Sequence, residues 1–300
     1  PVRARTCRLM DIFPKIDSAY VRLENGLEIR HICCRRFASA GISVLVRTGS
    51  IHEGAMCGCG VSHFAEHMAF IGAGGRREES VSADAAMLGA ELNACTWNDR
   101  TVYSADCPTE SLEKTLALLS EMLFEPNFTE GAFENERGVI LREIDMCSDD
   151  SGEKAYDNLF GKMYVSSPLR YPIIGIRKKF MGVEPPDLRG YFLDRYCADN
   201  MCVCVASALG HSEVFDAVSR AFGGRGGNLK PVMVEQELPQ QCPREVLEYS
   251  NCDVSKCLLA FKVPCGNSVE SAFWECLAMS LGDGNSSILS KKLKYGENLA

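Results

Sequence analysis

The stretch HFAEHMAF, His63–Phe70, sets two of the chain's five histidines four residues apart and places Glu66 directly before the second. Apolar residues recur at helical spacing from Gly60 to Ile71, which predicts a helix there. Side chains four apart on a helix stack on one face, so the imidazoles of His63 and His67 can reach a single cation together. Glu66, three residues after His63, falls on the same side, within reach of a water on that cation without being a ligand. Randomly placed histidines and glutamates would produce this pattern roughly 0.007 times in such a chain, so coincidence is a poor explanation.

The order H-x-x-E-H inverts the H-E-x-x-H zinc helix and is itself a zinc-peptidase pattern. A catalytic zinc needs a third protein ligand and one open position. The downstream helix EGAFENERGVILREIDM, Glu130–Met146, with Thr129 as its cap, is where that ligand is easiest to find. Glu136 and Glu143 lie seven residues apart, nearly on one face two turns apart, while Val139, Ile140 and Ile144 are expected to hold the helix against the core. A carboxylate facing inward is costly without a partner, and a metal or a histidine would supply one. Spacing alone does not choose between the two glutamates.

Working outward, Tyr20 to Leu23 and Leu27 to Cys33 read as strands joined at Asn25-Gly26, a dipeptide suited to the positive φ of a hairpin turn. Gly41–Arg47, Leu92–Cys95, Thr101–Cys107 and Met201–Ser207 read as further strands, and helices are predicted at Ser82–Leu88, from Thr109 or Ser111 to Leu123, at Asp187–Tyr196 and at His211–Phe222. This order is α+β, not a regular βαβ alternation. The Gly- and Pro-rich run GGRGGNLKP, Gly223–Pro231, with Pro239 and Pro243 after it, predicts a linker over 226–243. It separates a first domain, 1–225, from the start of a second, 244–300. CLLAFKVPCG followed by SAFWECLAMSLG echoes the strand-then-helix order of the first domain.

A net charge of −8 leaves no basic footprint for nucleic acid. No apolar run approaches the roughly 18 residues needed to cross a bilayer, and PVRARTCRLMDIFPKIDSAY has no signal-peptide core, so no membrane is expected and the cytoplasm is the default compartment. Sixteen cysteines include no C-x-x-C, only Cys33-Cys34, Cys57-Gly-Cys59 and Cys202-Val-Cys204 as close pairs. They read as small apolar fillers in a reducing compartment. His31, His52 and His211 have no partner at ligand spacing and read as ordinary surface or core histidines.

LENGLEIR (Leu23–Arg30), RTGSIHE (Arg47–Glu53), GVSHFAEHMAF (Gly60–Phe70), LGAELNACTWNDRTVYSAD (Leu88–Asp106) and ENERGVILREIDM (Glu134–Met146) occur in this order. Together they resemble the pitrilysin, insulysin and mitochondrial processing peptidase group of zinc metallopeptidases, over about Tyr20 to Phe222. The resemblance implies a mixed, mostly antiparallel sheet packed by helices, with 1–225 as the catalytic domain. It implies one Zn2+ held by His63, His67 and Glu143, Glu66 as general base, and Glu136 orienting a ligand histidine. Asn93 and Ala94 match edge-strand positions that engage substrate backbone, which implies extended or unfolded peptides bound as an added strand. It further implies pairing with a second homologous domain or subunit.

FIGAGGR, Phe70–Arg76, departs from the group's usual Phe-Lys-Gly-Thr. SSILSKKLKYGENLA resembles a second-domain segment that offers an Arg and a Tyr to substrate; Lys294 occupies the Arg position, and the Tyr would follow Ala300. Lysine lacks arginine's bidentate fork, so substrate would be held less firmly there. The expected activity is a zinc endopeptidase. The competing readings are a non-catalytic structural or regulatory subunit of the same fold, against which the complete His63, Glu66, His67 and Glu143 set argues, and a zinc hydrolase of small non-peptide substrates, against which the Asn93-Ala94 strand argues.

Overall fold

The hairpin at Asn25-Gly26 opens the fold in a computed structural model that describes residues 16–72, 78–226, 229–249, 255–263 and 269–297. Strand β1 (Ser18–Arg22) pairs antiparallel with β2 (Glu28–Cys33). Leu23 N donates to Leu27 O at 2.9 Å and Gly26 N to Leu23 O at 3.0 Å, closing a three-residue loop in which Gly26 has φ 87°. That is the three-residue hairpin with glycine in the left-handed position, formed by Glu24-Asn25-Gly26 between the two expected strands.

The other strands are β3 (Ser39–Val46), β4 (Glu91–Thr96), β5 (Thr101–Pro108) and β6 (Met201–Ser207). They form one six-stranded sheet of order β1-β2-β6-β3-β5-β4, in which β2–β6 is parallel and every other pair antiparallel. The expected mixed, mostly antiparallel sheet is what forms. Alternation along the strands buries Ile29, Ile42, Val44, Tyr103 and Val203 on one face. Helices α1 (Val61–Phe70), α2 (Glu78–Met87), α3 (Leu112–Phe124), α4 (Glu130–Asp149), α5 (Ser151–Met163), α6 (Arg177–Phe180), α7 (Pro185–Arg195) and α8 (His211–Phe222) complete the α+β layer, with α1, α2, α3 and α8 touching the sheet.

Three local expectations change. Ile140 and Ile144 are buried on α4 with Phe133, but Val139 is 36% exposed, because a 100° step per residue carries position 139 off the stripe that 133, 140 and 144 share. Helix α5 is an addition, begun by Asp150, whose carboxylate accepts from Gly152 N (2.6 Å) and Glu153 N (3.0 Å). Residues 257–263, expected as a strand, form none; a strand exists through its partner, and no described residue pairs with them. The departure at FIGAGGR falls mostly on 73–77, outside the described residues, as do 1–15 at the N-terminus and 298–300 at the end.

The chain divides into two compact units, Pro1–Lys256 and Cys257–Ala300. In the first, 229–249 carry no helix or strand and are held by polar contacts: the Glu237 carboxylate accepts from Val165 N, Ser166 N and Ser167 N at 2.9–3.0 Å, and Arg244 donates to the carbonyls of Lys162 and Met163. The second contains α9 (Val269–Gly282) and a π-helical turn, Ser290–Gly296.

The head of α1 depends on close backbone approach. Gly60 has φ 71°, and a Cβ there would lie 2.1 Å from Ile174 O; Gly175, at φ 91°, faces it with 2.7 Å between its own would-be Cβ and Gly60 N. Gly54 has a similar φ of 58° but nothing within 4 Å. Gly60→Ala should therefore cost about 2–4 kcal/mol and Gly54→Ala only about 1 kcal/mol, read from urea unfolding midpoints.

Candidate metal centre

Helix α1 buries Val61, Phe64, Ala65, Met68 and Ala69, which leaves His63, Glu66 and His67 along its border facing α4 and β4. The two imidazoles stand edge to face, 4.6 Å between centroids. Glu143 on α4 bridges them: its Oε1 lies 3.9 Å from His63 Nε2 and its Oε2 3.7 Å from His67 Nε2. One ligand atom from each of His63, His67 and Glu143 falls within 4.8 Å of the others. Two nitrogens and one carboxylate oxygen, with a cavity of about 550 Å³ in front of them, fit a zinc site that keeps a position open.

Glu136, two turns before Glu143 on nearly the same face of α4, touches the other side of the pair. Its Oε2 accepts from His67 Nδ1 at 2.9 Å, which leaves His67 Nε2 with its lone pair towards the centre. The two glutamates that spacing could not separate are thus separated by which imidazole atoms they meet. Glu66 accepts a hydrogen bond from Thr96 Oγ1 at the end of β4.

The histidines are driven in opposite directions. Burial, reinforced by the charge of His67, pushes His63 down to about 3, so it is neutral and a competent donor. Burial also disfavours charge on His67, but the hydrogen bond and charge of Glu136, with Glu143 and Glu66, outweigh it and raise its pKa. Burial raises Glu66, against the Thr96 hydrogen bond and His67, which makes it a stronger base than an exposed glutamate.

Asn93 and Ala94 lie on β4, the last strand in the order, and Ala94 lines the cavity beside Glu66, His67 and Glu143. Asn93 Oδ1 accepts from Ala94 N at 2.8 Å. Lys294 belongs to the second unit, with its amine 5.6 Å over the ring of Tyr295. His31 and His211, read as unrelated, meet each other: their Nδ1 atoms are 2.7 Å apart, and His211 Nε2 donates to Asp17 at 3.0 Å. Their separation of 180 positions in the sequence hid that pairing. Residues missed in the sequence include Thr96, Glu53 and the α5 side chains Glu153, Tyr156, Asp157 and Phe160, which wall the cavity. Asp150 preceding Ser151 was a capping signal for α5; the role of Glu53 had no local signal.

Helices on an α+β scaffold thus bring two histidines and a glutamate to one point. The model described as Insulinase (Peptidase family M16) matches residues 36–176, and that described as Peptidase M16 inactive domain matches 182–300. The chain belongs to the M16 peptidase family. It is 31% identical over 186 residues to the mitochondrial-processing peptidase subunit beta of Caenorhabditis elegans, covering 62% of this chain and 40% of that protein. It is 28% identical over 201 residues to an uncharacterized zinc protease of Rickettsia felis, covering 67% and 48%. The chain therefore spans less than half the length of these relatives. The crystal structure of a protease from Helicobacter pylori superposes with TM-score 0.81 at 23% identity, covering 95% of this chain and 70% of that one, and shares the fold.

Glu53 heads α1 from outside it. The side chain is almost wholly buried, with Oε1 accepting from Ser62 N at 3.0 Å and Oε2 from Gly58 N at 3.2 Å. Burial raises its pKa from 4.5 to about 7, against the hydrogen bonds from Ser62, Gly60 and Gly58. The folded state thus holds a proton that the unfolded state releases above pH 4.5, so this contribution to stability is full below 4.5 and is lost as pH rises through 7. Glu53→Gln has no such proton. Between pH 4.5 and 7.5 the metal-free wild type should lose on the order of 3 kcal/mol of unfolding free energy relative to the variant, measured by denaturant titration at each pH.

Proposed function

We propose that this chain carries the metal-binding part of a zinc-dependent endopeptidase that hydrolyses peptide bonds in extended or unfolded peptides. The observation that carries this reading is the meeting of His63, His67 and Glu143 around one point with Glu66 beside them. His63, His67 and Glu143 would hold one Zn2+, and Glu136 would keep His67 in the tautomer whose Nε2 is free. When bound, zinc would acidify a water and polarise the scissile carbonyl. Glu66 accepts the proton of the attacking water and returns it to the leaving amine; Thr96 holds its carboxylate in place between the two transfers.

The edge of β4 at Asn93 and Ala94 would receive the peptide backbone as an added strand, so main chain more than side chain sets recognition. Glu153 and Asp157, alternating with Tyr156 and Phe160 on the cavity wall, favour basic and bulky apolar residues near the cleaved bond. Lys294 would contact substrate from a paired second domain or subunit. The alternative, a non-catalytic subunit of this fold, gives the Glu66–Thr96 pair no work.

The test measures zinc content and cleavage of an unstructured fluorogenic peptide, using a chain that includes a full second domain. Wild type should bind one zinc and cleave. Glu66→Gln should keep the zinc and lose cleavage by about 10²–10⁴-fold. Glu143→Gln should lose zinc, and Glu136→Gln should weaken it by about 10–100-fold. Stoichiometric zinc with no Glu66-dependent cleavage would overturn the peptidase reading in favour of the non-catalytic subunit.

A further inference from the structure

The pair Cys202-Val-Cys204 lies on β6, on the sheet face opposite the helices. Met201, Val203 and Val205 point into the core, so residues 202 and 204 turn together to the other side, Cys202 buried and Cys204 half-buried. Their sulfurs approach to 3.8 Å. In register, Cys202 stands between Glu28 of β2 and Leu45 of β3, and Cys204 between Arg30 and Ser43. Cys204, Arg30, Ser43, Tyr20 and Ile32 help to line a cavity of about 620 Å³ on this face.

We propose that Cys202 and Cys204 form a dithiolate site for one soft, thiophilic cation of the Cu(I) class, distinct from the His63, His67 and Glu143 set. This inference is independent of the peptidase reading. At a thiolate–metal bond of about 2.3 Å, sulfurs 3.8 Å apart subtend about 110° at a shared ion, and parting them by up to about 0.8 Å through the side-chain torsions opens this to the near-linear geometry of a two-coordinate Cu(I). A disulfide is less well matched. Residues two apart on a strand are about 6.6 Å apart at Cα, at the upper edge of disulfide geometry, and β6 is clamped by ladders to both β2 and β3.

The surroundings suit an anionic bis-thiolate complex. Arg47 and Arg30 stand 2.9 and 3.9 Å from the Glu28 carboxylate, so two guanidiniums face one carboxylate beside the sulfurs. The two thiols also share a hydrogen bond, which holds Cys202 down to about 7 while Cys204 is raised. Binding a monovalent cation to this thiol–thiolate pair displaces the one proton left on Cys204, giving a complex of charge −1. Soft sulfur ligands select Cu(I) over the harder cations that imidazole and carboxylate accept. Cys57 and Cys59, the other C-x-C pair, are both raised, by burial and then by Glu53, against Lys179.

The test titrates Cu(I) anaerobically into the reduced, metal-free full chain against a chromogenic Cu(I) competitor. Wild type should take up one tightly held equivalent, with thiolate-to-copper charge-transfer absorption in the ultraviolet and release of one proton. Cys202→Ser and Cys204→Ser should each weaken that equivalent by about 100-fold or more, whereas Cys57→Ser and Glu143→Gln should retain it. In parallel, quenched alkylation of wild type with peptide mapping should show Cu(I) protecting Cys202 and Cys204, a readout independent of how the serine variants fold. Unchanged Cu(I) uptake in both serine variants, or absence of protection at residues 202 and 204 in wild type, would overturn the proposal.

Discussion

The contact between Phe64 on α1 and Phe133 on α4 is the constraint from which the metal centre follows. Their rings are 4.8 Å apart, and Phe180 closes the cluster 5.3 Å from Phe64, with all three fully or almost fully buried. Phe64 is the neighbour of His63, and Phe133 lies one helical turn before Glu136. Packing these rings therefore sets the distance and rotation between the helix that carries the imidazoles and the helix that carries the carboxylates. Phe burial of this kind is worth a few kcal/mol per ring, about 1.5–3, and is cooperative with the surrounding core. No polar contact in the site is strong enough to hold two helices in register by itself.

The sheet supplies the rest of the positioning by its edges and faces. Its terminal strand, β4, ends at Thr96, whose hydroxyl reaches Glu66, so a strand terminus orients a residue on a helix. The buried face fixes α1 in depth, and the backbone approach of Gly60 to Gly175 fixes its start. The opposite face carries a different inventory of small and sulfur-bearing side chains, Gly41, Ser43, Cys202, Cys204 and Ala206, because the alternation that buries Val203 and Val205 turns their neighbours outward. His63, His67 and Glu143 thereby lie on the helix side of the sheet and the closely paired thiols Cys202 and Cys204 on the other.

What could be read from the sequence was what acts over a few residues. The helical repeat around His63–Phe70, the glycine turn at Gly26 and the Thr129 cap, which accepts from Ala132 N, are local and reappear in the structure. The insertion of β6 between β2 and β3 could not be read, since its partners lie over 150 residues away and parallel pairing leaves no turn signal. The same limit hid Glu53, whose hydrogen bonds reach across a glycine-rich turn, and the His31–His211 pair. Glu136 and Glu143 were equivalent by spacing because seven residues return nearly to the same face. Only the tilt of α4 against α1 puts one at Nδ1 of His67 and the other between both Nε2 atoms.

The electrostatics of the centre favour a cation over a protonated network. Three carboxylates, Glu66, Glu136 and Glu143, converge on two imidazoles, and burial holds His63 neutral. His67 alone can carry a positive charge, and it is already committed to Glu136 through Nδ1. Adding a proton to His63 would oppose both its burial and the charge on His67, so protonation is a poor way to balance the remaining carboxylates. His63, His67 and Glu143 would hold a divalent ion whose charge balances the carboxylates without charging either ring, and Glu66 keeps its Thr96 hydrogen bond. The opposed displacement of two neighbouring histidines thus has two causes: burial lowers His63, and against burial the carboxylate of Glu136 raises His67.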